Sequence, residues 1–276
     1  MQETFLNYFK YFFYGIVQGF TEFLPISSTA HLKVLSEFFN LGDPGSSLSA
    51  IIQIGSVFAV LIFFQKEILT SRNKVISYSS FSRKKIFLSI LLGTTFILFF
   101  GALVKFIIPD FYNSYLRSNL VIALISIFTG LLMYISELKR CKNISLKNHN
   151  FTNSLFIGLA QAFAIIPGVS RSGITITAAL LLGWKKVDAA KYSFLLGIPA
   201  ISIASFVEIY SSLNIDLHIN FGPLILALIS SFITSYLSIK FLIRYISIKG
   251  LKFFIYYKII FGSLILVSEY SLFKFH

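Results

Sequence analysis

Apolar residues run through this chain in blocks of roughly membrane-crossing length, separated by short polar connections rich in lysine. A helix needs about 20 mostly apolar residues to cross a bilayer core, with a range of roughly 17–25. The stretches 44–65, 86–104, 118–136, 192–207 (extendable past Glu208) and 217–239 meet or approach that length. A sixth, 253–273, carries Lys258 and Glu269 near its ends, where such side chains snorkel to the interface. Two further apolar regions are broken. Residues 11–35 divide at Pro25 and residues 151–184 at Pro167, leaving half-length helices too short to cross. Irregular backbone at membrane depth is tolerated only where it is buried in protein or lines a wet cavity. Both regions therefore predict re-entrant helix–loop–helix hairpins.

The two broken regions resemble each other. "GIVQGFTEFLPISS" (15–28) aligns with "GLAQAFAIIPGVSRS" (158–172), sharing a glycine, a glutamine three residues on, then proline and a serine pair. Downstream, Gly55 follows Gly15 as Gly197 follows Gly158, at nearly equal spacing. Each half reads as a hairpin and three spans, so the pattern predicts an all-α integral membrane protein in one domain. Repeat one covers about 1–140 and repeat two about 141–276. An odd number of full spans per half turns the second half upside down, and broken segments in corresponding positions mark a midplane site.

Charge supports this topology. Of the 24 Lys and Arg residues, 18 fall in the stretches 66–85, 139–147, 185–191 and 240–258, as the positive-inside rule expects of cytoplasmic loops. Hairpin one then enters from outside and hairpin two from the cytoplasm. With 56% apolar and only 13% charged residues, too few charges remain to coat a soluble surface. The net charge of +13 is thus read as topology and contact with membrane lipids, not as nucleic-acid binding. The single cysteine, Cys141, excludes an internal disulfide, and the scattered His31, His149, His218 and His276 form no metal cluster along the sequence. Residues 11–21 imitate a signal-peptide core, but no A-x-A-like cleavage site follows and Glu22 interrupts the run, so they are read as part of the mature fold.

The chemistry gathers at the two breaks. Gln18 and Glu22 are four residues apart and share a helix face. Such a pair suits a divalent cation that keeps several waters, Mg²⁺ or Ca²⁺. Ser27, Ser28 and Thr29 follow Pro25 and open a helix; one of them serves as an ordinary N-cap, but three exceed what a cap needs. The helix N-terminus there favours anions. His31 lies one turn from Ser28, beside a carboxylate, which suits acid–base work. In "PGVSRSG" (167–173), Gly168 turns the chain, Ser170 and Ser172 offer caps and donors, and Gly173 permits close backbone approach. Arg171 adds a guanidinium suited to bidentate phosphate binding. The ligand expected is a phosphate ester, with more than one phosphate.

These motifs together resemble the undecaprenyl-diphosphate phosphatase family of bacteria, the bacitracin-resistance type, and the similarity runs along essentially the whole chain. The resemblance implies removal of the terminal phosphate from the polyprenyl diphosphate carrier of cell-wall synthesis. It also implies a site opening to the outer face of the cytoplasmic membrane. By motif position, Gln18 and Glu22 fill the family's (E/Q)xxxE pair, followed by Ser27, Ser28, Thr29 and His31; Arg171 and its flanking serines fill the second motif. Ala30 stands where the family commonly has glycine, and Gln18 removes one metal-binding charge. Ser28 as nucleophile with His31 as base, and direct attack by water activated by His31 or Glu22, both remain open. A secondary transporter or flippase for a phosphorylated polyprenyl lipid is the rival reading, because inverted repeats with broken helices also serve transport. The sequence leaves the oligomeric state open, a homodimer being one option.

Overall fold

The computed structural model describes residues 2–65, 80–139, 141, 143–213 and 221–274. Lys66, Arg72, Lys74, Arg140, Lys142, His218 and His276, which the sequence argument used or weighed, lie outside the described residues. The described residues form helices and their connections, with no strand beyond one isolated bridge between Ile144 and Trp184, in agreement with the all-α expectation. In chain order the helices are α1 (Gln2–Phe23), α2 (Ser28–Phe38), α3 (Gly45–Phe63), α4 (Ser80–Ile107), α5 (Asn119–Leu138), α6 (Phe151–Ala162), α7 (Arg171–Leu181), α8 (Lys186–Leu213), α9 (Phe221–Lys249) and α10 (Lys252–Lys274).

Five runs are long and apolar enough to cross a bilayer: Lys84–Ile107, Asn119–Leu138, Lys186–Ser211, Phe221–Lys249 and Lys252–Tyr270. The stretch expected at 44–65 forms the 19-residue α3, which includes the apolar run Leu48–Phe63. It begins only at Gly45 because the Asp43-Pro44 step and two glycines with positive φ, Gly42 and Gly45, turn the chain just before it. The breaks fall where proline predicted them. On the far side of Pro25, α2 has 11 residues; around Pro167, α6 has 12 and α7 has 11. One expectation needs correction. The first arm of hairpin one is not half-length: α1 has 22 residues, since nothing in "QETFLNYFK" breaks a helix and the arm simply continues back to Gln2.

The helices group into two compact units. The first contains α1, α2, α3 and the segment Ile198–Leu242 from α8 and α9. Its apolar centre is Tyr14, Val17, Leu32, Ile51, Ile52, Leu224 and Ala227. Lipid tails are as apolar as leucine, so membrane helices hold together through close packing and hydrogen bonds between small residues. That is what occurs here. A Cβ on Gly15, Gly19 or Gly55 would overlap the α9 backbone at Ala227, Ser231 or Leu228. The Ser235 hydroxyl then lies 2.8 Å from Ser56 Oγ and 3.2 Å from Gly19 O, within hydrogen-bond reach of both α3 and α1.

The second unit contains Pro25–Ser27, α4 to α7, the start of α8 up to Gly197, and Ile243 onwards. Here α4 and α6 cross with Gly93 against Gly158, and α10 lies along α5 at Gly130 and Gly262. Outside the spans, His149 sits in a buried cluster with Trp184 and Tyr192, its Nε2 3.0 Å from Ser89 Oγ. Burial pushes its pKa down; the Leu146 carbonyl opposes that shift and Lys85 adds to it.

The Gly93–Gly158 crossing gives a direct test. Gly158→Ala would drive a methyl into the Gly93 backbone, which cannot yield as a side chain could. Overpacking of this kind destabilises by about 1–3 kcal/mol. Gly101→Ala, in the same helix as Gly93 but with open space around it, should be neutral or stabilising. Thermal unfolding of the two variants in detergent should separate them in that order.

Candidate active site

The first break positions a carboxylate and a hydroxyl on one another. Gln18 and Glu22 face the same side of α1, one turn apart, and Gln18 Nε2 donates to Glu22 Oε2 at 2.7 Å. Ser28, the first residue of α2, donates its hydroxyl to the same oxygen at 2.8 Å. Gln18 is fully buried and Glu22 nearly so, while Ser28 and Thr29 are half-buried. His31 is buried within the first turn of α2. The structure thus brings together Gln18, Glu22 and Ser28. It does not pair Ser28 with His31: the base within hydrogen-bond reach of the Ser28 hydroxyl is Glu22.

The second unit holds the turn of hairpin one as well as the second break. The N–H of Gly168 donates to Ser27 Oγ at 3.2 Å. Gly168 has φ +96°, and a Cβ there would overlap the Ile122 carbonyl, so the position requires glycine. Ser170 N-caps α7 by accepting from Gly173 N at 3.1 Å, and its hydroxyl lies 3.3 Å from that of Ser172. Ser27 and Ser170 share an unusual backbone, with φ of 78° and 70°. Each immediately precedes the first residue of a short helix, Ser28 in one case and Arg171 in the other. Positive φ in a non-glycine residue is uncommon. The two tips thus share this backbone feature at the residue before each helix.

Arg171 is half-buried and held by its own unit. Its Nη1 donates to the Ser193 carbonyl at 3.0 Å, and the Ser193 hydroxyl lies 2.6 Å from Thr175 Oγ1. The guanidinium lies where a side chain on Gly197 would be, so that glycine makes room for it. The sequence spacing singled out Gly197 without indicating why.

Thr175, Ser193 and Lys258 belong to this arrangement and were missed by sequence reasoning. Thr175 and Ser193 carry no signal apart from being polar on an apolar face. Lys258 was assigned to the interface and to a cytoplasmic loop, and the structure corrects both. It has no exposed surface, and its Nζ donates to the carbonyls of Gly168 and Val169 at 2.9 and 2.8 Å. Because α10 starts at Lys252, Lys258 is almost two turns inside and on the face that meets the second tip. The rule that a charge within an apolar span is functional by default would have found it.

For a divalent cation, the fit rests on oxygen atoms. Gln18 Oε1 is buried and without a partner among the described residues, next to the Glu22 carboxylate. No group of three or more His, Cys, Asp or Glu side chains occurs among the described residues. An ion here would therefore take two protein oxygens and keep several waters, which is how Mg²⁺ is commonly held beside phosphates. The counterpart glutamine, Gln161, is also fully buried, with both amide atoms unpartnered among the described residues.

The Ser170 geometry is testable on stability alone. Ser170→Ala loses the cap and keeps a Cβ at positive φ, and loss of an N-cap costs about 1 kcal/mol. Ser170→Gly relieves the backbone, and glycine is a tolerable cap, so it should be the milder change. Thermal denaturation in detergent should rank wild type and Gly above Ala.

Comparison with known proteins identifies the family. The family model for bacitracin resistance protein BacA matches residues 11–264. An undecaprenyl-diphosphatase of Prochlorococcus marinus subsp. pastoris is 55% identical over 266 residues, covering 95% of this chain and all of that protein. One from Prochlorococcus marinus strain MIT 9515 is 53% identical with the same coverage. A more distant one, from strain SARG, is 40% identical over 269 residues, covering 95% of this chain and 93% of that protein.

Proposed function

The chain belongs to the family of bacitracin resistance protein BacA, and from that membership we propose that it hydrolyses undecaprenyl diphosphate to undecaprenyl phosphate and inorganic phosphate. In a cell this recycles the lipid carrier of cell-wall synthesis and confers bacitracin resistance, from a site opening on the outer face of the cytoplasmic membrane. The support from relatives is their shared name, undecaprenyl-diphosphatase, over nearly the whole length. The observation that carries the reading is the hydrogen bond from Ser28 to the buried carboxylate of Glu22. A binding protein needs groups that hold an anion; a hydroxyl aimed at a base at a helix N-terminus is the equipment of a nucleophile.

In this reading Ser28 Oγ attacks the terminal phosphorus as Glu22 takes its proton. The bond from that phosphorus to the bridging oxygen breaks, Glu22 passes the proton to the departing undecaprenyl phosphate, and a phosphoserine remains. Water, deprotonated by His31 or Glu22, then attacks that phosphorus; the bond to Ser28 Oγ breaks, the proton returns to the serine, and inorganic phosphate leaves. Direct attack by that water on the diphosphate is the simpler variant. Arg171 binds the terminal phosphoryl oxygens, aided by the hydroxyls of Ser27, Thr29, Ser170 and Ser172 and by backbone at Gly168 and Gly173. Phosphoryl transfer depends mostly on such positioning and charge stabilisation. Glu22 and Gln18 would hold Mg²⁺ or Ca²⁺, which when bound neutralises phosphate charge.

Phosphate release from undecaprenyl diphosphate by detergent-purified protein tests this directly, since no compartments exist for transport to act between. Glu22→Gln, Ser28→Ala and Arg171→Ala should each lose about 10²–10³-fold in kcat, the scale of removing one group that stabilises a transition state. A chelator should lower the wild-type rate, and Mg²⁺ or Ca²⁺ should restore it. No release by folded wild type would end the hydrolase reading, and full activity in Ser28→Ala would leave only the water variant.

A further inference from the structure

Among the described residues, Lys258 is the only Lys or Arg with no exposed surface at all. It lies inside a run apolar enough to span the membrane, where an unused charge is strongly disfavoured. Its two hydrogen bonds are to the carbonyls of Gly168 and Val169. Those residues occupy the turn between α6 and α7 and immediately precede Ser170 and Arg171. Neither carbonyl serves a helix, and the turn places them away from water, so something must donate to both. A neutral side chain with two N–H groups would meet that need. The ammonium does more, since no carboxylate of the described residues pairs with it: Glu137 is engaged by Lys186, and Glu269 by Asn119.

We propose that Lys258 is a positioning residue for the second tip, holding Gly168–Val169 so that Ser170 and Arg171 face a phosphate, and that its uncancelled charge strengthens anion binding there. The proposal deepens the phosphatase reading and rests on it. Lys258 does not touch the reacting atoms. It acts through two backbone carbonyls, on a turn whose own strain is visible in the positive φ of Gly168 and Ser170. The turn is secured from the other side by Ser27, which accepts from Gly168 N. Residue 168 is thus gripped at both its N–H and its C=O.

Three substitutions in the full-length protein separate the possibilities. Lys258→Met keeps the volume and removes donors and charge; Lys258→Gln keeps donors without charge; Lys258→Arg keeps both. Calorimetric titration with inorganic pyrophosphate, thermal unfolding, and kcat and KM on undecaprenyl diphosphate are measured for each. Losing hydrogen bonds to a charged group corresponds to about a 10- to 100-fold weakening. That loss is expected for pyrophosphate affinity and kcat/KM in Lys258→Met. Lys258→Gln should recover thermal stability but not pyrophosphate affinity, with the kinetic defect mainly in KM, and Lys258→Arg should rescue both. Wild-type pyrophosphate affinity in a folded Lys258→Gln protein would overturn the role of the charge. A Lys258→Met protein that is folded with normal kcat/KM, or failure of all three variants to fold, would overturn the positioning role by making Lys258 dispensable or purely structural. If wild type binds pyrophosphate but releases no phosphate from the lipid, the hydrolase reading fails by itself, and the binding series still judges Lys258.

Discussion

A helix broken inside a bilayer leaves peptide groups that lipid cannot satisfy, and each orphan costs several kcal/mol. The second break of this protein meets that constraint with side chains that arrive from elsewhere in the chain. Ser27 accepts from the N–H of Gly168, Lys258 donates to the carbonyls of Gly168 and Val169, and Ser170 closes the first turn of α7 through Gly173 N. The position of Arg171, the first residue after the turn, follows from them.

Strain enters at the same places. Ser27 and Ser170 both hold positive φ, a conformation that costs roughly 1–3 kcal/mol in a residue with a side chain. Glycine would remove that cost, but it would also remove the hydroxyl that each residue uses, Ser27 towards Gly168 and Ser170 towards Gly173. Serine at these two positions is therefore a compromise in which a fixed hydroxyl outweighs a relaxed backbone. The same compromise recurs at both tips, one residue before the helix that follows.

Much of this was legible in the amino-acid order because it is local. Prolines marked the breaks, long apolar runs marked the spans, and the pairing of Gln18 with Glu22 follows from one helical turn. Other features depend on residues far apart in the chain. Lys258 meets Gly168 across 90 positions, and no periodicity in either segment announces the other. Its place a few residues into an apolar run made it look like an interfacial anchor, since a pattern gives the distance from a helix end but not the face. The length of α1 was misread for a related reason: the proline that ends the helix was plain, whereas nothing marked its start. Ser28 and His31 share a helix turn in the sequence, yet the hydroxyl is taken by Glu22 from the other arm of the hairpin. A break between two helices had hidden that contact.

The two breaks share a backbone plan but carry different side chains. At an offset of 143 residues, Ser27 corresponds to Ser170, Ser28 to Arg171, and Glu22 to Ile165. Ser28 and Arg171 both occupy the first position of an 11-residue helix, where free N–H groups and the helix dipole favour an anion. What differs is the residue six places earlier. A hydroxyl is a poor nucleophile until a base can take its proton, and Glu22 is hydrogen-bonded to Ser28. A guanidinium needs no base, and a carboxylate at position 165 would draw it into an ion pair within its own tip. Isoleucine at that position supplies no carboxylate to the guanidinium of Arg171. The glycines diverge to match: Gly55 lets two helices approach, whereas Gly197 makes room for Arg171. The first break thus pairs a hydroxyl with a buried carboxylate, whereas the second sets a guanidinium between two serines at the start of a helix.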